Sequence, residues 1–247
     1  MQILLHGYTG KMGQMLLRKA AEMGSDFTIC AKVSPDCPQG GTDSCYQTLD
    51  QYQGAADCVI DFSNHVATAG LLAYCTARKL PVVIATTGQT EEERAQIAQA
   101  AAEIPIFFSA NMSIGIAVLG DLAKKAAAAF PQADIEIIEA HHNQKLDVPS
   151  GTSLLLAHQI QQVRQDSTLL IGRHENGRRT AQEIGIHSLR FGAEVGMHEI
   201  LISTGSETLT LKHKAESRSL FADGALKAAA FLSGKPAGLY TMQDLVV

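Results

Sequence analysis

Three glycines placed directly after the opening apolar run limit what this chain can fold into. Gln2–His6 is a short strand-like run, and Gly7-Tyr8-Thr9-Gly10-Lys11-Met12-Gly13 follows it at once. Met12, Leu16, Ala20 and Met23 then recur at helical spacing, which predicts a helix over residues 12–23. A strand, a glycine turn and a helix in that order form the phosphate-binding corner of a dinucleotide fold. Glycine lets backbone approach a pyrophosphate, and the helix N-terminus favours its charge. The spacing is Gly-x-x-Gly-x-x-Gly rather than the commoner Gly-x-Gly-x-x-Gly, so the position in the chain carries more of the argument than the pattern. A tight turn with close helix–strand contact accounts for the same glycines without a ligand.

The alternation continues. Residues 27–33, 57–62, 81–85 and 104–109 read as further strands. Residues 65–79 and 90–103 read as helices, the latter opened by Thr90 with Glu93 completing a capping box. Residues 34–54, rich in Pro, Gly, Asp and Ser, read mostly as loop. Apolar strands alternating with helices imply a parallel sheet covered on both faces. After residue 112 the pattern changes to a long Ala- and Leu-rich helix over 114–130, a strand over 134–140 and a helix over 150–163. Strand-like runs at 183–191, 197–204 and 207–214 follow, separated by glycine-containing turns, which suggests antiparallel pairing. Residues 220–232 are again helical. The expected fold is therefore α/β. A Rossmann-type parallel-sheet domain spans 1–112, with 221–247 returning to it. An α+β domain for substrate and oligomerisation spans 113–220, with a mixed, largely antiparallel sheet.

Composition narrows the function. The 247 residues carry a formal net charge of −5, and this acidic balance opposes nucleic acid or anionic membranes as partners. No run approaches the roughly 18 apolar residues of a membrane span, and no secretory leader is visible. Five cysteines (Cys30, Cys37, Cys45, Cys58 and Cys75) include no Cys-x-x-Cys pair. They read as reduced thiols of a cytoplasmic protein rather than a disulfide frame or zinc site.

Chemistry concentrates in residues 135–153, IEIIEAHHNQKLDVPSGTS. His141, His142 and Lys145 are proton-transfer residues near neutral pH. Ser150 is a natural N-cap, and the N–H groups of Gly151 and Thr152 suit a carboxylate. Each has a plainer reading: polar histidines at a strand end, a surface lysine, a capped helix. The combination is what favours a site for a small anionic substrate. No third metal ligand appears at a recognisable spacing, so no metal is expected. Arg173, Arg178, Arg179 and Arg190 are candidates for a second carboxylate clamp, and nothing selects one. At the end of the second strand, Lys32 and Ser34 can hold a 2′-phosphate and Asp36 a ribose hydroxyl. This tips the reading slightly to NADPH, with NADH also accepted.

Taken in order, the turn at 7–13, Thr-Thr-Gly at 86–88, Ser-Ala-Asn-Met-Ser-Ile-Gly at 109–115 and Glu-Ala-His-His-Asn-Gln-Lys-Leu-Asp-Val-Pro-Ser-Gly-Thr at 139–152 resemble bacterial dihydrodipicolinate (4-hydroxy-tetrahydrodipicolinate) reductases over essentially the whole chain. The resemblance implies an NAD(P)H-dependent reductase of the diaminopimelate and lysine pathway, a homotetramer built through its substrate-domain sheets, acting on a small dicarboxylate heterocycle. It implies His141 as acid/base residue and Lys145 as proton donor, with His142, Ser150, Gly151 and Thr152 at the substrate. It places Gly7, Tyr8, Thr9, Gly10, Lys11, Met12, Lys32, Ser34, Ala85, Thr86, Thr87, Ser109, Ala110, Asn111 and Met112 along the cofactor. Ala85 stands where the family usually has Gly, Met112 where Phe is common, and Ser34 where an acid is usual. A related two-domain dehydrogenase of amino or hydroxy acids would share the glycine turn without the His-His-Lys-Ser-Gly-Thr cluster. A nucleotide-sensing regulator would need a basic DNA-binding module, which the sequence lacks.

Overall fold

The structure is a computed structural model and describes residues 1–38 and 44–246. The chain divides into two compact units, Met1–Ser113 with Arg218–Val247, and Ile114–Ser217.

The first unit is built on a seven-stranded, all-parallel sheet. Its strands are β1 (Gln2–His6), β2 (Thr28–Val33), β3 (Cys45–Tyr46), β4 (Cys58–Asp61), β5 (Val82–Ile84) and β6 (Pro105–Phe108), with Gly238–Tyr240 as the last strand of the chain. The spatial order from one edge is β3, β2, β1, β4, β5, β6 and then Gly238–Tyr240. The order reverses between β1 and β4, the switch point at which such sheets bind ligands beyond their strand C-termini. Helices α1 (Lys11–Glu22), α2 (Thr68–Arg78) and α3 (Glu91–Ala100) connect the strands. The expected box opens α3: Glu93 N–H donates to Thr90 Oγ1 at 3.2 Å, and Thr90 N–H to Glu93 Oε2 at 2.8 Å. Every residue of β4 and β5 is buried, as strands covered on both faces require. The helix Ser219–Leu232 packs against α1 and the β4–β6 strands.

The described part of residues 34–54 is mostly loop, as expected, with β3 and a short 3-10 turn, Leu49–Gln51, in it; residues 39–43 lie outside the described part. One expectation here is corrected. Cys37 and Cys45 are joined in a disulfide rather than reduced. The chain returns at β3 and brings their Cα atoms to 6.3 Å, within bridging distance, a proximity that sequence spacing does not display. Cys30, Cys58 and Cys75 are free.

The second unit pairs α4 (Ile114–Ala129) and α5 (Gly151–Gln161) with five strands: β7 (Asp134–His141), β8 (Thr168–Ile171), β9 (Glu183–Arg190), β10 (Gly196–Ser203) and β11 (Thr208–Ala215). Their order is β11-β10-β7-β9-β8. The sheet is mixed, but the expectation of a largely antiparallel one is corrected. β10 pairs antiparallel with β11 and β7, whereas β7–β9 and β9–β8 are parallel. Consecutive β9 and β10 do not pair, because β7 lies between them. Strands two places apart are about 10 Å distant, which the 191–195 connection spans easily. β8 was not expected from the sequence. Ile135, Ile137, Ile184, Ile186, Ile200 and Ile202 form one face of the sheet and pack under α4 and α5.

Candidate active site

In the first unit the glycine turn sits at the end of β1. Gly7 has φ +81°, and a Cβ there would lie 2.5 Å from the Phe62 carbonyl oxygen. A Cβ on Gly13 would overlap the Gly7 carbonyl and the Tyr8 backbone. These two glycines are needed for the corner itself. Gly10 differs: its nearest atom would be 3.5 Å from a Cβ, an ordinary contact. Gly10 is the N-cap of α1, and no side chain caps that helix and no acid sits in its first turn. The first-turn N–H groups are therefore presented beside a residue with no side chain, an arrangement that fits a pyrophosphate.

The neighbouring groups converge on this corner. Thr9 and Ser34 share a hydroxyl hydrogen bond of 2.7 Å, and the Thr9 hydroxyl lies 3.2 Å from Asp36 Oδ2. Ser34 is buried, and Lys32 lies over the Tyr8 ring, 6.0 Å from its centroid. The Tyr8 hydroxyl is 2.8 Å from Cys45 Sγ. Lys11 is exposed at the start of α1, beside half-buried Met12. Ala85 is half-buried after β5. The hydroxyl of buried Thr86 donates to Asp61 Oδ2 at 2.6 Å, while Thr87 is exposed. Asp61 also accepts from Ser63 Oγ at 2.6 Å and faces His6 Nδ1 at 2.9 Å. After β6, Ser109 Oγ donates to the Asn111 carbonyl at 2.7 Å, Asn111 Oδ1 accepts from Ser113 N–H at 2.8 Å, and Ala110 is exposed. The Met112 side chain is buried, and its carbonyl is pressed so close to Gly224 that a Cβ there would not fit.

The second unit carries the His-His-Lys cluster. His141 is the last residue of β7 and is nearly buried; half-buried His142 follows it. Lys145, on the loop after the strand, pairs with Asp147 at 2.8 Å. Burial would raise the Asp147 carboxyl, but the Lys145 ammonium outweighs it and holds that group below the usual carboxylate range. Ser150 is the N-cap of α5, accepting from Ser153 N–H at 3.2 Å, so Gly151 and Thr152 form the first turn as expected. Ser150 itself is buried and turned inward. Its N–H donates to Glu139 Oε1 at 3.0 Å, and its hydroxyl lies 3.3 Å from His198 Nε2.

Sequence reasoning passed over Glu139, Ser188 and His198 behind this cluster, and it considered Arg190 only as a substrate clamp. Glu139 is fully buried. Its Oε1 accepts from Ser150 N–H, from Ser188 Oγ at 2.6 Å and from Arg190 Nη2 at 2.9 Å, and its Oε2 lies 2.7 Å from His141 Nδ1. Burial opposes ionisation here, but the hydrogen bonds from His141, Ser188, Ser150 and Arg190 win, and the carboxyl is held far below its ordinary value. The His198 ring stands edge-on to His141, centroids 5.2 Å apart. Burial first, and then the His141 ring, push His198 down to about 3, so it is neutral at physiological pH. The one local signal was that Glu139 shares the inward face of β7 with Ile135 and Ile137; an acid there needs partners.

Glu139, His141 and His198 also bring three ligand-type atoms within 4.8 Å of one another, supplying the third group that spacing did not reveal. Two ligands on one tetrahedral zinc stand roughly 3.3 Å apart. The 2.7 Å approach of Glu139 to His141 is closer and suits a shared proton, and Arg190 already occupies the other carboxylate oxygen. Of the arginines considered as clamps, Arg190 is committed to Glu139 and to the Asp147 carbonyl at 2.6 Å, Arg179 to Asp134 and Glu136, and Arg173 to Glu183; Arg178 is exposed.

Known proteins agree with both halves. Residues 1–112 match the family model for the N-terminus of dihydrodipicolinate reductase, and residues 115–246 match that for its C-terminus. A 4-hydroxy-tetrahydrodipicolinate reductase of Caldanaerobacter subterraneus subsp. tengcongensis is 45% identical, covering 99% of this chain and 98% of its own. One from Clostridium tetani is 42% identical, covering 99% and 96%. The fold matches dihydrodipicolinate reductase from Paenisporosarcina sp. TG-14, a structure with dipicolinate bound, at a TM-score of 0.82 and 24% identity over 100% of this chain and 99% of that one. On two family models that together span nearly every residue, the chain belongs to the dihydrodipicolinate reductase family.

Proposed function

We infer that the chain reduces 4-hydroxy-tetrahydrodipicolinate to tetrahydrodipicolinate with a nicotinamide cofactor, in diaminopimelate and lysine biosynthesis. The observation that carries this reading is the placement of His141, Lys145 and the Gly151-Thr152 helix start in one short segment of the second unit, backed by a buried carboxylate. The glycine turn would hold a dinucleotide, which would supply the hydride. The chain supplies the rest. The N–H groups of Gly151 and Thr152 hold a substrate carboxylate at the positive end of α5, with Ser150 fixing the turn and His142 beside it. Reduction of the conjugated imine builds negative charge on the ring. The Lys145 ammonium faces that charge and delivers the proton, and His141 is the acid/base group. Asp147, 2.8 Å away, holds Lys145 in place.

The glycine turn with Lys11 and Met12 would hold the pyrophosphate. Ala85, Thr86, Thr87, Ser109, Ala110, Asn111 and Met112 would line the nicotinamide side. Lys32 beside the Thr9–Ser34 pair supports NADPH as the preferred donor, with NADH also used. A cytoplasmic homotetramer completes the reading. What supports the assembly is the sheet face bearing Glu136, Ile138, His187, Glu199 and Leu201, opposite the face that α4 and α5 cover.

The test follows nicotinamide absorbance at 340 nm, with substrate formed in situ from pyruvate and aspartate semialdehyde by its synthase. Turnover with NADPH that is lost in His141→Ala and Lys145→Ala supports the assignment. Intact cofactor binding with no turnover refutes it. Light scattering should return about four times the 26.4 kDa chain mass.

A further inference from the structure

We propose that Glu139 is the positioning residue of this site: it fixes the tautomer and ring orientation of His141, so that Nε2 alone meets the substrate. The proposal rests on the acid/base reading of His141 above. A fully buried carboxylate is tolerated only with several donors. Oε1 has three, from Ser150, Ser188 and Arg190, on three different segments. Oε2 faces a single group, His141 Nδ1. An ionised carboxylate oxygen only accepts, so a proton on Nδ1 is what makes this 2.7 Å approach favourable, and in a neutral ring the lone pair is then on Nε2. That nitrogen points to Gly196, where a Cβ would come within 3.1 Å of it. The absent side chain keeps Nε2 uncovered.

The same carboxylate ties the histidine to the carboxylate cradle. Through Ser150 N–H, Glu139 sets the start of α5, and through Oε2 it sets His141. Arg190 from β9 and His198 from β10 flank the pair, and His213 from β11 and Lys145 from the loop act on His198. Neutral His198 closes the back of the site, edge-on to His141 and in contact with the Ser150 hydroxyl. A base held by a third group that chooses its tautomer is the general logic of activated proton transfer.

Glu139→Gln separates this role from a purely structural one. Its carbonyl can keep the three Oε1 contacts, but its amide would donate where Oε2 accepted. His141 Nδ1 would then have to accept, moving the ring proton to Nε2. Protein labelled with 15N-histidine, with the His141 signal identified through His141→Ala, reads the tautomer by long-range 1H–15N spectra at pH 8. The expected result is an Nδ1–H ring in the native protein and an Nε2–H ring in Glu139→Gln. With it, kcat should fall roughly 10²-fold or more, while substrate KM and the Kd for NADPH stay within about threefold. An unchanged tautomer with native turnover in Glu139→Gln overturns the proposal. So does an Nε2–H ring in the native protein, a result that needs no variant. Retained turnover in His141→Ala would instead remove the acid/base reading and leave the tautomer result standing.

Discussion

Lowering the pH from 7 to 5 should cost the folded chain about 2 kcal/mol through His198 alone. The imidazole is 4% exposed, and burial holds it at about 3 in the folded state. In the unfolded chain it titrates near the ordinary value of 6.5. The group is a base whose folded pKa lies below its unfolded one. The unfolded chain therefore takes up the proton first, and stability is lost as pH falls below 6.5, the loss growing until about 3. At pH 5 that is about 1.5 pH units, each worth about 1.4 kcal/mol. Burial lowers His213 as well, adding in the same direction. Glu139 does not compete in this window. Its pKa is depressed, so the stability it contributes is lost only below the unfolded carboxylate range, near 4. Urea unfolding of the native chain and of His198→Gln at pH 7, 6 and 5 measures the effect, since glutamine can still reach the Ser150 hydroxyl without titrating. The native chain should lose about 2 kcal/mol more than the variant across this range. Parallel pH dependence in the two proteins would refute the reasoning.

Lys145→Ala should lower kcat by roughly 10²-fold or more while leaving NADPH affinity, read by fluorescence titration, nearly unchanged. Native turnover in that variant would remove Lys145 as proton donor. Gly7→Ala should destabilise the fold by at least about 2 kcal/mol, because the side chain meets backbone at a positive φ, whereas Gly10→Ala should leave the melting temperature within a degree or two. A Gly10→Ala protein that melts normally yet binds NADPH as tightly as before would show that the uncapped start of α1 is not the phosphate site. Lys32→Ala should raise the KM for NADPH several-fold more than that for NADH. Equal effects on both would remove Lys32 as the 2′-phosphate contact.

Local elements were legible where their cause was local. The Gly7–Gly13 corner, the Thr90–Glu93 capping box and the Ser150 cap of α5 depend on residues within a few positions of one another, and each appears with the expected local geometry. Strand–helix alternation led to a parallel sheet because strands covered on both faces must be apolar throughout. The second sheet was harder. Runs at 183–191 and 197–204 look like the two arms of a hairpin, and no local rule says that β7 inserts between them. β8 was missed because its four residues, TLLI, are too few to show a period.

By itself the sequence determined the strand–helix alternation of the first unit, the glycine corner, the capped start of α5 and the family, the last through a histidine-lysine motif contained in fourteen consecutive residues. The tertiary structure alone decided which groups stand behind that motif. Glu139, Arg190 and His198 come from three strands and meet only because β9 and β10 flank β7. Cys37 and Cys45 become a pair only when β3 folds back beside β2. The physical reason is the same in both cases. Capping and periodicity act within one or two turns of chain, so they are written in adjacent residues. Ion pairing, burial and disulfide reach act over a few ångströms of space and depend on strand order, which is settled by the whole core.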